Sequence, residues 1–371
     1  MTDLCREFGI SRKTGYKYRK RWQEMGVAGL FDASRRPYRS PNRTPQDLVD
    51  LVVAARMRRP TWGPKKLLWL LDKEHPGVRL PAVSTIGVIL RREGLVTTRR
   101  RRRRAWPTTG PLREAMAPND VWAMDFKGQF RTGKSYCYPF TISDQYSRYL
   151  LGCEGLDGTQ GGPAQAVLAA VFREFGLPEV IRSDNGSPFA STGRHGLTRL
   201  AVWLIRQGIS LERIEPGRPD QNGRHERMHR TLKAETTRPA CSNLLAQQER
   251  FDDFRKYYNE SRPHEALGMR PPAEIYKPSD RSYQEYLEPL TYPLHDITTI
   301  VTEDGKAYIS PFKKRVYIGG ALAGETVGLR ELDDGCWIVH FSDIELGLID
   351  INLGGLLVIT TNPSQTPAPR R

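Results

Sequence analysis

The spacing of apolar residues changes character once along this chain, at Val121, and that change limits the possible folds more than any other feature. Before it, three segments carry apolar residues at helical intervals: "DLVDLVVAARMRRP", "GPKKLLWLLDKEHPG" and "PAVSTIGVILRREGL". Pro60 ends the first, Pro64 sits in the first turn of the second, and Pro81 with Ser84 opens the third, which Gly94 stops. After it, "VWAMDFKGQF" and "KSYCYPFTISDQYSRYLLGCEGL" are rich in aromatic and β-branched residues broken by turn signals, which predicts two or three strands. "GGPAQAVLAAVFREFGLP" then reads as an amphipathic helix closed by Gly176 and Pro178. "EVIRSDNGSPF" reads as a short buried strand running into a turn, "GLTRLAVWLIRQG" as a helix and "ISLERIEPG" as a strand. Strands first, then helices alternating with strands, predict a mixed α/β layer architecture behind an all-helical arm. Beyond about residue 295, short strands with Asp-Gly turns predict a small C-terminal β-barrel.

Charge follows the same division. Of 57 Lys and Arg against 42 Asp and Glu, residues 1–110 hold 26 and 9, leaving 31 and 33 for the remainder. The whole net charge of +15 therefore belongs to the N-terminal third, which marks that third as the binder of a polyanion, nucleic acid first among candidates. "LCREFGISRKTGYKYRKRW" reads as helix, turn, helix. Gly9 breaks the first helix, Ser11 caps the second, and Arg12, Lys13, Lys17 and Lys20 lie on a helix suited to a major groove. As a three-helix unit it is one helix short. The helical segments from 45 to 97 form a second unit of the same kind. The unbroken run Arg99 to Arg104 cannot bury itself and is expected to track a phosphate backbone. No stretch approaches the apolar length of a bilayer span, and five scattered cysteines without a C-x-x-C pair fit a reducing cytoplasm.

Three acids stand out by context. Asp125 follows Val121, Trp122 and Met124 on an apparently buried strand, Asp184 ends "EVIRSD" before the turn pair Asn185-Gly186, and Glu226 is a lone acid within "GRHERMHRTLK". Each has an ordinary reading: a hydrogen-bonded strand acid, a turn cap, a salt-bridged helix face. Together they could meet at one sheet edge and hold divalent cations, since apposed carboxylates repel and a hard cation relieves that repulsion. On a helix, Arg230 and Lys233 share the face of Glu226 and would bind phosphates, while Arg227 points elsewhere.

"VWAMDFKG", "RSDNGSPF" and "GRPDQNGRHERMHRTLKAE", followed by "YNESRPHEALGMRPPAEIY", resemble the integrase-type catalytic core of bacterial insertion-sequence transposases, kin of retroviral integrases. "LCREFGISRKTGYKYRKRW" and "GLFDASRRP" resemble the helix-turn-helix and linker of the same family. The resemblance implies a ribonuclease-H-like α/β core with a mixed five-stranded sheet and helices, and a DDE triad carried onto Asp125, Asp184 and Glu226. It implies Mg²⁺ or Mn²⁺, two ions per site, with double-stranded transposon-end and target DNA as substrates and a homo-oligomer on DNA. Asn185 and Gly186 match the turn after the second acid and would shape the site. One departure is the separation of Asp184 from Glu226, 42 positions, wider than usual for the family, with the surplus near "STGRHGLTRL". Two nearby acids, Glu215 and Asp220, are the competitors for the third place.

The expected organisation is a helix-turn-helix at 1–32, a linker at 33–44, and a second helix-turn-helix-like module at 45–97. A basic linker at 98–117, the catalytic core at 118–280, a small β-barrel at 281–360 and a disordered tail at 361–371 follow. The expected activity is end binding, hydrolysis to a free 3′-hydroxyl and joining to target DNA. Rival readings are a catalytically silent DNA-binding regulator and a metal-dependent nuclease on the same fold.

Overall fold

A computed structural model of the chain describes residues 1–31, 43–96, 112–191, 196–215, 219–310, 313–333, 336–350 and 355–357. The arginine run 99–104, most of the expected 33–44 linker and the 361–371 tail lie outside the described residues.

Two helices open the chain, α1 (Thr2–Glu7) and α2 (Arg12–Met25). Gly9, at φ +59°, turns the chain between them, a left-handed conformation that costs glycine little. Ser11 caps α2, its Oγ accepting the Thr14 N–H at 3.1 Å. Gly15 lets the helices touch, because a Cβ there would stand 2.4 Å from Cys5 Sγ. Arg12, Lys13, Lys17 and Lys20 are all exposed.

Three further helices, α3 (Gln46–Arg58), α4 (Pro64–Glu74) and α5 (Val83–Arg92), enclose Val49, Val52, Trp62, Leu67, Leu71, Ile86 and Leu90, each almost fully buried. Pro64 starts α4 because proline's missing N–H has no partner to lose in a first turn. The expected Ser84 start of α5 falls one residue inside the helix. This bundle sits on the rest of the molecule through Trp62, whose indole N–H donates to the Tyr257 hydroxyl at 2.7 Å, and Thr61, which donates to Glu235 at 2.7 Å. The Arg59 guanidinium lies 4.5 Å over the Tyr257 ring.

The central sheet contains β1 (Val121–Phe126), β2 (Phe130–Thr132), β3 (Ser135–Asp144), β4 (Leu150–Leu156), β5 (Val180–Ser183) and β6 (Ser210–Arg213). Its five main strands run in the order β4-β3-β1-β5-β6, with β1, β5 and β6 parallel, β3 antiparallel to both neighbours, and the short β2 added to β3. Strands buried on both faces need no polar alternation, which is why "VWAM" in β1 is buried without a break. On one face, Trp122, Met124, Phe140 and Ile142 pack against α6 (Gly161–Phe175) and α7 (Arg199–Arg206). On the other, Cys137, Leu150 and Cys153 meet Met228 and Leu232 of α8 (Gly223–Thr236) and Phe251 and Phe254 of α9 (Leu244–Glu260). The result is a three-layered, ribonuclease-H-like core.

The C-terminal strands are β7 (Ile297–Ile300), β8 (Lys306–Ile309), β9 (Lys314–Tyr317), β10 (Thr326–Asp333), β11 (Cys336–Phe341), β12 (Ile344–Asp350) and β13 (Gly355–Leu357). Strand pairing among the described residues does not close them into the expected barrel. Among the described residues they form an open antiparallel sheet, β13-β12-β11-β10-β7, with β8 and β9 as a separate ribbon joined to it by one bridge, Val301 to Ala307. Short strands with polar turns do not encode closure, and here α7 supplies part of the cover. Its Val202 and Ile205 enter the same apolar cluster as Val327, Leu329, Val339 and Phe341. No helix among the described residues is long and apolar enough to cross a membrane.

Candidate active site

Backbone register brings the first two acids together. Parallel pairing of β1 with β5 aligns Val121 with Val180, Trp122 with Ile181 and Ala123 with Arg182. Continued two residues further, it sets Asp125 beside Asp184 at the C-terminal ends of neighbouring parallel strands, where open α/β sheets place ligands. The Asp125 side chain is 24% exposed. Its carboxyl is pushed up to about 7, first by burial and then by the Asp184 charge; Glu226 adds a smaller push, while the Phe126 N–H and Lys127 pull the other way.

Asp184 stands just beyond β5. Its Oδ1 accepts the Gly186 N–H at 2.9 Å, and the Asn185 amide donates to the Ile214 carbonyl, tying this turn to the strand end of β6. Asn185 and Gly186 therefore shape the turn, as the sequence suggests. The Asp184 carboxylate leaves little room there, since a Cβ on Gly186 would meet it at 3.2 Å.

Glu226 occupies the first turn of α8 and is exposed. No hydrogen bond or ion pair holds it among the described residues. Arg230 and Lys233 are exposed on the same face. Among the described residues, no three His, Cys, Asp or Glu side chains are grouped closely enough to hold a metal ion. The strand-borne pair is assembled; Glu226 reaches Asp125 through its charge and is not part of a closed cage.

The opposite face of α8 explains how the helix is seated. His225 and His229, one turn apart, are buried with Met228 and Leu232. Both Nε2 atoms reach the Thr141 hydroxyl of β3, at 2.8 and 2.6 Å, and His225 Nδ1 lies 2.7 Å from Ser143 Oγ. Thr141 Oγ1 in turn donates to the Asp125 carbonyl at 3.2 Å. A hydroxyl has one proton and two lone pairs, so donation to Asp125 makes both imidazoles donors at Nε2. That leaves His229 Nδ1 without a proton, 3.7 Å from Asp125 Oδ2. Burial holds His225 down to about 3, helped by Lys127, and holds His229 well below its ordinary value, helped by His225 and Lys127. His-Glu-x-x-His is also the spacing of a zinc-protease helix. Here both Nε2 atoms are turned to one hydroxyl beneath the helix, so the pair anchors α8.

Sequence reasoning singled out the three acids and not the residues that surround them. His225, His229, Thr141, Ser143 and Lys127 gave no isolated signal, although two histidines at i and i+4 on the face of Met228 and Leu232 mark a buried stripe.

Comparison with known proteins bears on the core and on the N-terminal arm. A profile described as an integrase core domain matches residues 115–219, a second of the same description matches 207–272, and a homeodomain-like domain profile matches 14–90. A 39.2 kDa protein of insertion element IS476 from Xanthomonas euvesicatoria is 29% identical over 255 residues, covering 67% of this chain and 70% of that protein. The chain carries an integrase core domain and is similar to proteins of bacterial insertion elements.

A 31.7 kDa protein of insertion element IS407 from Burkholderia multivorans is another relative, 27% identical over 232 residues, covering 60% of this chain and 80% of the other. The Gag-Pol polyprotein of baboon endogenous virus is 32% identical over 121 residues, which cover 33% of this chain and 7% of that polyprotein. Among solved structures, the HTLV-2 integrase catalytic core in complex with magnesium aligns over 44% of this chain and all of its own, at 15% identity and a TM-score of 0.36. The homeodomain-like match runs from α2 to α5, across both helical units of the basic arm.

Proposed function

We propose that this chain is a transposase that binds double-stranded transposon ends, hydrolyses a phosphodiester at each end and joins the freed 3′-hydroxyl to target DNA, using Asp125, Asp184 and Glu226. Water attacks the phosphorus at the element's end, the P–O3′ bond breaks, and the 3′-oxygen leaves as a hydroxyl. That hydroxyl then attacks a target phosphorus and displaces the target's own 3′-oxygen. One phosphodiester forms for each one broken in joining, so no energy-supplying cofactor is needed.

The observation that carries this reading is the parallel register that sets Asp125 beside Asp184, with the Asp125 carboxyl pushed up by burial, Asp184 and Glu226. An all-oxygen set of acids fits a hard cation, Mg²⁺ or Mn²⁺, better than a soft one. Two such ions, held by the three acids, would polarise the scissile phosphate and lower the pKa of the attacking water. Asp125 and Asp184 are held in place by strand register, and Glu226 by the histidine anchor of α8. Arg230 and Lys233 bind backbone phosphates beside the acids. Arg12, Lys13, Lys17 and Lys20 contact end DNA, and Arg99, Arg100, Arg101, Arg102, Arg103 and Arg104 track its backbone. The protein works in the cytoplasm as a homo-oligomer on DNA, because two ends must be joined in concert.

The test is a strand-transfer assay with labelled end DNA, a target plasmid and Mg²⁺, comparing wild type with Asp184→Asn and Glu226→Gln. Joined products from wild type and none from either variant support the proposal. Binding without cleavage identifies a regulator, and cleavage without joining identifies a nuclease.

A further inference from the structure

Beside the first turn of α8 lies a cavity of about 480 Å³, lined by Tyr146 and Arg148 after β3, Arg224 of α8, and Leu267 and Arg270 of the loop after α9. Three of its lining residues are arginines and none is an acid. Arg148 is the unusual one. It sits at φ +66°, in the left-handed region that side chains other than glycine seldom adopt, and its buried Nη1 has no hydrogen-bond partner. Burial, with Arg224 and Arg227 nearby, lowers its pKa to about 10, although Tyr258 and Asp144 partly offset this. Asp144 is not a free counter-ion, since it already accepts the Asn119 N–H at 2.9 Å and the Ser147 N–H and hydroxyl at 2.7 and 2.6 Å. Among the described residues, Arg224 donates to the Gln145 carbonyl at 3.1 Å, and exposed Arg270 to the Leu267 carbonyl at 3.4 Å.

Folded chains do not leave guanidinium donors buried without acceptors unless something else supplies the oxygens. A chain otherwise able to place acids against its arginines, as at Arg182–Glu212 and Arg262–Glu235, places none here. Three arginines lining one open cavity match an anion with several oxygens pointing in different directions, which is a phosphate. Arg224 lies two residues before Glu226 on the same helix, so a group bound here would adjoin the strand presented to the acids.

We propose that Arg148, Arg224 and Arg270 form a phosphate-binding pocket that receives a backbone phosphate of DNA laid across the start of α8. This rests on the DNA reading above; the same pocket chemistry would accept inorganic phosphate. The full chain and its Arg224→Gln, Arg270→Gln and Arg173→Gln variants are titrated with a fluorescent duplex at several KCl concentrations. Arg173 is an exposed residue of α6 paired with Glu285, and serves as the charge control. In parallel, melting is followed in potassium phosphate and in KCl of equal ionic strength. Each lost phosphate contact should flatten the slope of log affinity against log salt by about 0.9. The proposal expects that change in both pocket variants and none in the control, with a several-fold weaker affinity at low salt. Unchanged slopes, combined with a phosphate-specific rise in melting temperature that Arg270→Gln abolishes, would keep the pocket and assign it to free phosphate. Unchanged slopes without that rise overturn it. If wild type binds no duplex, the DNA reading fails and the melting comparison alone decides the pocket.

Discussion

The acids at the ends of β1 and β5 and the acid on α8 are held by different kinds of structure. Asp125 and Asp184 are placed by the main chain, through a parallel register that any buried residues would maintain. Glu226 is placed by side chains, because α8 is fastened to β3 through two imidazoles on one hydroxyl. Fixed main-chain geometry makes the pair robust, whereas a few specific hydrogen bonds make the third acid adjustable. Asp125 belongs to both systems, since its carbonyl accepts from Thr141 and its carboxylate faces His229.

The largest expected effect tests whether the three acids act as one unit. Asp125→Asn and Asp184→Asn should each lower strand transfer by about 10³-fold or more, as for residues whose removal disables a whole catalytic set. Glu226→Gln should fall to a similar level; retention within ten-fold of wild type would separate the helix acid from the strand pair.

The next effect tests the anchor. Thr141→Val keeps the shape but removes the hydroxyl, leaving buried imidazole donors unsatisfied at roughly 1–3 kcal/mol each. Urea unfolding should show a loss of about 2–6 kcal/mol. Valine at 141 with unaltered stability would mean that the histidine contacts do not hold α8.

A smaller effect concerns pH. A carboxyl raised from the usual range to about 7 binds a proton more readily folded than unfolded, so its contribution to stability is complete at acid pH and declines as pH rises through 4 to 7. His225 has the opposite sign: its folded value, about 3, lies below the unfolded one, so its contribution is present above pH 6.5 and lost as pH falls towards 3. Without metal at pH 8, Asp125→Asn should raise stability on the order of 1 kcal/mol or more, with the gain vanishing below about pH 4. Thermal melting with a chelator measures it, and a gain independent of pH would contradict the assigned cause.

The smallest effect belongs to the outer face of α8. Arg230→Gln or Lys233→Gln should weaken DNA binding by less than ten-fold and reduce its salt slope by about one. Equal salt slopes for variant and wild type would remove these residues from the DNA path.

What was legible in the sequence follows the same divide. The burial of "VWAM", the turn at Asn185-Gly186, and the glycine that closes α6 at φ +75° all arise from local pattern, and each stands where the spacing predicts. The histidine anchor and the arginine cavity depend on residues roughly 80 or more positions apart, Thr141 with His225 and Arg148 with Arg270. No local periodicity reports such meetings. The C-terminal strands failed differently: their turns were readable, but closure depends on strand partners and on α7, so a barrel was expected where an open sheet stands.

The most direct measurement of the central claim is a Mn²⁺ titration of the protein bound to end DNA, followed by electron paramagnetic resonance. The account predicts two bound ions for wild type and loss of tight binding in Asp184→Asn and in Glu226→Gln alike. A Glu226→Gln titration indistinguishable from wild type would contradict it.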